Sequence, residues 1–108
     1  MSDLPLLQGT LDVLVLKTLN WGPRHGYAIA RWIRETTENE LKVEDRALYV
    51  SLHRMEQQGW IESEWGFSEN NRKAKYYKLT RSGRRELRER SDSWTRYAQA
   101  VSRVLRTV

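Results

Sequence analysis

Residues 60–80, WIESEWGFSENNRKAKYYKLT, break the pattern of the chain around them, and that break limits the fold more than any other feature. On either side apolar residues recur every three or four positions, as on a helix. Here they alternate: Ile61, Ser63 and Trp65 are set against Glu62 and Glu64, and Tyr77 shares a face with Leu79. Gly66, Ser68, Asn70 and Asn71 supply turn residues between the two arms. The stretch predicts a β-hairpin with a loop of about six to eight residues, fixed to a core through Ile61, Tyr77 and Leu79.

Helical patterns flank this ribbon. Residues 8–20, QGTLDVLVLKTLN, are apolar on nearly all sides, which predicts a buried first helix with Thr10 as N-cap and Gly22-Pro23 as the stop. A second helix follows in YAIARWIRETT, with Ile29, Ala30 and Ile33 on one face and Arg31, Arg34 and Glu35 on others. A third is predicted over 45–58. Val43 is its hydrophobic staple, Asp45 its N-cap, Leu48, Leu52 and Met55 its buried stripe, and Gly59 the residue beyond its end. That stripe leaves Arg46, Tyr49, Val50, His53, Arg54 and Gln57 facing away from the core. After the hairpin, Thr80 caps a long last helix. Leu87, Ser91, Trp94, Ala98, Val101, Leu105 and Val108 fall at alternating steps of four and three on it, a coiled-coil seam with only Ser91 out of character. Such a seam needs a partner, and a second copy of the chain is the economical one, with Leu87, Trp94, Ala98, Val101 and Leu105 at the interface.

Length and composition narrow the function. At 108 residues the chain holds one small domain with an appended helix, and 39% apolar residues are enough for a folded core. A formal charge of +5 favours polyanionic partners. The chain has no cysteine, which excludes disulfides and thiolate chemistry. His25 and His53 stand alone, without the neighbours that a metal site or a catalytic constellation needs, and no Gly-rich phosphate loop precedes a Lys. The expectation is a protein that is not an enzyme and holds no cofactor or metal. The start, MSDLPLLQ, lacks a basic leader, and the longest apolar run, LDVLVL, is far short of the ~18 residues that span a bilayer. A cytoplasmic protein without membrane contact is expected.

Helix, helix, helix, hairpin, helix is the order of a winged helix-turn-helix. The fold class expected is therefore mainly α (α+β): a three-helix core with a two-stranded wing over 1–79, and a C-terminal dimerisation helix over 80–108. In that arrangement the third helix enters the major groove of double-stranded DNA and the wing reaches phosphates or the minor groove. Arg46, Tyr49, Val50, His53 and Arg54 on the helix, with Arg72, Lys73 and Lys75 on the wing, are the DNA-binding candidates. Each has a plainer alternative. Tyr49 can pack against the wing, Arg46 and Arg54 can belong to a solvated helix face or pair with Asp45 or Glu56, and Glu62 and Glu64 can hold Lys75 or Lys78 across the ribbon. A different function for the same basic face is to bind an acidic protein partner.

The chain also resembles the PadR family of bacterial transcriptional regulators. The resemblance lies in LLQGTLDVLVLKTL, HGYAI, LYVSLHRMEQQGWI and RKAKYYKLTRSG, taken in that order, and covers about residues 6–90. It implies a dimeric winged-helix repressor whose C-terminal helix packs against its partner. The recognition helix of this family commonly opens with Gly, then Ser or Thr, then Leu-Tyr-Pro, where this chain has Arg46, Ala47, Leu48, Tyr49 and Val50. Ala47 lacks the hydroxyl that a phosphate contact uses, while Arg46 offers a charged fork. Members are released from DNA by small phenolic or drug-like aromatics. The resemblance thus permits an aromatic effector, with Trp94, Tyr97 and Trp21 as its candidate platform. The plainer reading of Trp94 is a large filler of the dimer seam.

Overall fold

Because α1 (Thr10–Thr18) is apolar on nearly every side, it needs cover all round. The computed structural model, which describes Leu6 and residues 9–108, provides it: Val15, Leu16 and Thr18 are fully buried. The Thr18 hydroxyl donates to the Leu14 carbonyl at 2.8 Å, so the buried oxygen keeps a partner. The N-cap is Gly9, at φ 86°, and Thr10 is the first helical residue. A left-handed entry favours glycine over threonine, which accounts for the shift. The expected start at residue 8 lies outside the described residues. A turn of 3₁₀ helix (Leu19–Trp21) follows and closes at Gly22.

The remaining elements are β1 (Arg24–His25), α2 (Gly26–Thr36), α3 (Asp45–Gln57), β2 (Ile61–Phe67), β3 (Lys73–Leu79) and α4 (Arg81–Leu105). All three strands form one antiparallel sheet in the order β1-β3-β2. In the hairpin Ile61 faces Leu79, Ser63 faces Tyr77 and Glu62 faces Lys78. Its loop spans residues 68–72, one shorter than the lower end of the expected range. β1 escaped the sequence reading because two residues cannot display an alternation. It adds to the outer edge of β3 with Arg24 opposite Tyr77.

One core unites these parts. Ile29, Ala30 and Ile33 of α2, Leu48, Leu52 and Met55 of α3, and Ile61, Tyr77 and Leu79 of the sheet close around α1. Val43 is buried beside them, as a staple should be. Helix ends are set by local chemistry. His25 caps α2, its Nδ1 accepting from the Ala28 N–H at 3.2 Å. Glu44 holds the N-cap place expected of Asp45, without a side-chain bond, and Gly59 beyond α3 takes φ 80°. Thr80 caps α4 by accepting from the Gly83 N–H at 3.1 Å, and its hydroxyl also reaches the Gly59 carbonyl at 2.6 Å. A side chain at Gly83 would collide with the Trp60 carbonyl, so glycine lets the start of α4 sit directly on the base of the wing.

Leu87 is where α4 leaves the core. It was expected in a dimer seam, but at 8% exposure it is buried in its own protomer, and little of it remains for a partner to cover. Beyond it the apolar side chains of α4 stand open: Trp94, Val101, Val104 and Leu105 are all exposed.

Candidate nucleic-acid interface

With Leu48, Ser51, Leu52 and Met55 turned inward, α3 presents Arg46, Tyr49, Val50 and His53 outward. Tyr49 is 49% exposed, and it lies close to Tyr77 of the wing as well as to the start of α2. Its hydroxyl lies where a β-carbon of Gly26 would come within 2.5 Å, so the ring occupies space that only glycine leaves open. The ring forms one wall of a cleft of about 790 Å³ between the start of α2, α3 and the wing. Tyr27 and Arg31 line it from α2, and Trp65, Lys73, Lys75 and Tyr77 from the wing. Burial, then the neighbouring Tyr49 and Glu56, raise the Tyr77 pKa above the usual phenol value.

The cations of α3 and the wing fall into two groups. At the tip, Arg72 is exposed and has no ion pair among the described residues, and the same holds for Arg46 at the start of α3. Lys73 is exposed as well, its ammonium 5.1 Å from the centre of the Trp65 ring. At the base every cation has a carboxylate. Lys78 meets Glu62 at 3.6 Å directly across the ribbon, and Lys75 reaches Glu56 of α3 at 3.8 Å. Glu56 also accepts from the Ser63 hydroxyl at 2.6 Å, so it joins the wing to α3 twice. Lys75 therefore pairs with α3, whereas Glu62 or Glu64 was the expected partner.

Arg54 belongs to the paired group. Its guanidinium turns to Asp12 of α1, with Nη2 2.6 Å from one carboxylate oxygen and 2.5 Å from the other. Neither Asp45 nor Glu56 holds it. Sequence reasoning had no access to this pair, because its members are 42 positions apart.

Tyr27, Arg31 and Trp65 are cleft residues that sequence reading did not single out. Arg31 follows Tyr27 by one helical turn and its guanidinium lies 5.7 Å from that ring, a spacing visible in the sequence. Trp65 was assigned to the hairpin face but not to an open surface, although 61% of it is exposed.

Trp94 and Tyr97 come together on α4, lining a shallow groove of about 330 Å³ with Gly9, Thr10, Val13 and Arg90. Trp21 does not join them. It follows the far end of α1, with the Lys17 ammonium 5.1 Å from its ring centre. Ala98 is partly exposed, and Val101 and Leu105 are open.

Comparison with known proteins agrees with this geometry. Residues 15–89 match the Transcriptional regulator PadR-like family. A PadR family transcriptional regulator from Eggerthella lenta has a similar structure, with TM-score 0.78 and 34% identity over 94% of this chain and 86% of that one. A PadR family transcription regulator from Clostridium difficile has TM-score 0.77 and 28% identity, over 90% and 99% of the two chains. An uncharacterised protein of Lysinibacillus sphaericus is 28% identical over 89% of this chain and 88% of its own length.

Proposed function

The chain belongs to the PadR-like family of transcriptional regulators, and on that premise we propose that it is a homodimeric repressor acting on a palindromic operator in the cytoplasm. In this reading α3 enters the major groove, where Arg46, Tyr49, Val50 and His53 meet base edges and nearby phosphates. Arg72 and Lys73 at the wing tip neutralise phosphates alongside. Lys75 and Arg54, held by Glu56 and Asp12, shape the surface. The observation that carries the reading is one open cleft between α2, α3 and the wing, walled by Tyr49 and lined by Arg72 and Lys73, with the exposed Arg46 on the same α3.

Residues 1–79 do the reading and residues 80–108 the pairing. A second copy covers Trp94, Ala98, Val101 and Leu105, which the protomer leaves open. Two-fold symmetry then places the half-sites about one helical turn, ~34 Å, apart. A small flat aromatic effector stacks on Trp94 and Tyr97 in the α4 groove and releases the DNA. No catalytic step enters this reading.

Selection from random duplex DNA by the purified protein tests it. Enrichment of a palindromic sequence is expected, and no enriched sequence would sink the proposal. Repeating the selection with aromatic compounds present should lower recovery of the motif if Trp94 and Tyr97 form the effector platform.

A further inference from the structure

Asp12 is the one carboxylate buried in the core among the described residues, at 5% exposure, and the reading of α3 as a recognition helix leaves it without a task. A buried charge is costly unless it is both paired and hydrogen-bonded, and Asp12 is both. The Ser51 hydroxyl donates to it at 2.6 Å, and Arg54 Nη2 contacts both its oxygens. Arg90 Nη1 lies 3.7 Å from it. Ser51 and Arg54 come from α3 and Arg90 from α4, so a single carboxylate of α1 joins the two helices. Arg90 is itself fixed, with Nε 2.7 Å from Glu86 and the guanidinium 4.9 Å from the centre of the Trp60 ring.

Apolar packing alone would hold three helices together without the burden of a buried charge. What hydrogen bonds add is direction. The short Ser51 side chain reaches Asp12 over only a narrow range of α3 rotations, and Arg54 and Arg90 add ties from α3 and α4 to the same carboxylate. Arg46, Tyr49, Val50 and His53 ride on that same helix, so its rotation decides where they arrive. Arg72 and Lys73 are on the wing tip, with no bond to this cluster.

We propose that Asp12 is the positioning residue that sets α3 against α4, so that operator discrimination depends on its charge while general affinity for DNA does not. Base contacts are sensitive to small displacements of the helix; phosphate contacts from the wing tip carry little sequence information and tolerate them. The proposal rests on α3 being the recognition helix.

The test compares binding of a selected operator and of a random duplex for the full chain, wild type against Asp12→Asn. The substitution keeps the size and an acceptor for Ser51 but removes the charge. Folding and assembly are checked by circular dichroism and gel filtration. The expected result is a loss of roughly tenfold or more in the operator-to-random ratio, comparable to losing one base contact, with random-duplex affinity unchanged or higher as Arg54 is freed. Arg54→Gln should likewise lower the operator-to-random ratio, and the double variant should have a ratio no lower than either single one, because the pair acts as a unit. If Asp12→Asn does not fold, Arg90→Gln, which leaves Asp12 with Arg54, should still lower the ratio in the folded protein. An unchanged ratio in a folded variant, or additive losses at Asp12 and Arg54, would overturn the proposal. A wild-type protein without any operator preference would instead remove the recognition-helix reading itself, and this inference with it.

Discussion

The tip and the base of the α3–wing surface are built from the same residue types and behave differently. At the wing tip Arg72, and at the start of α3 Arg46, are exposed without ion pairs among the described residues, and the Lys73 ammonium lies over the Trp65 ring. At the base, Arg54, Lys75 and Lys78 each have a carboxylate within 4 Å. The lesson is that charge alone does not define a nucleic-acid surface. A cation already paired within the fold has less to offer a phosphate, and what it contributes is the shape of the surface that the unpaired cations share.

The largest test of this contrast is at the base. Asp12→Ala removes the acceptor of Ser51 and the partner of Arg54, and Arg54 is half exposed, so a loss of about 3 kcal/mol of stability is expected, toward the low end for a buried pair. Urea denaturation measures it. Arg46→Ala at the start of α3 should change stability by less than about 0.5 kcal/mol. Similar losses for both would erase the distinction.

A smaller effect is expected between the two regions. In Gly26→Ala the new β-carbon displaces the Tyr49 ring, which can swing aside, so stability should fall by less than about 1 kcal/mol. Operator affinity should still drop about tenfold, the worth of one good base contact. Titration of a labelled operator reports it, and full affinity in Gly26→Ala would show that Tyr49 has no part in binding.

The sequence carried much of this architecture because the decisive signals were local. Ile61, Tyr77 and Leu79 marked the wing by alternation, Gly59 marked the end of α3, and Thr80 marked the start of α4; all three hold in the structure. What escaped was either too short or too distant. β1 has two residues, and a histidine at an N-cap gives no sequence warning. Asp12 reads as one more polar residue on an apolar helix until the fold brings Arg54 and Arg90 to it. Leu87 fits the heptad seam by spacing, and only the closeness of α4 to α1 shows that it belongs to the core. The site was therefore legible as a list of cations but not as a division among them.

The smallest effect belongs to the outer pair of the ribbon. Glu62 and Lys78 are both more than half exposed, so Glu62→Ala should shift stability by about 0–1 kcal/mol in urea denaturation and leave operator affinity alone. A clear loss of binding would show that this pair takes part in the DNA surface.

The salt dependence of operator binding, measured for Arg72→Ala beside Arg54→Gln, tests the central division most directly. A phosphate contact contributes about 0.9 to the slope of log affinity against log salt. Arg72→Ala should flatten the slope by about that amount, and Arg54→Gln should lower affinity with the slope unchanged. A flattened slope in Arg54→Gln with an unaltered one in Arg72→Ala would contradict the account.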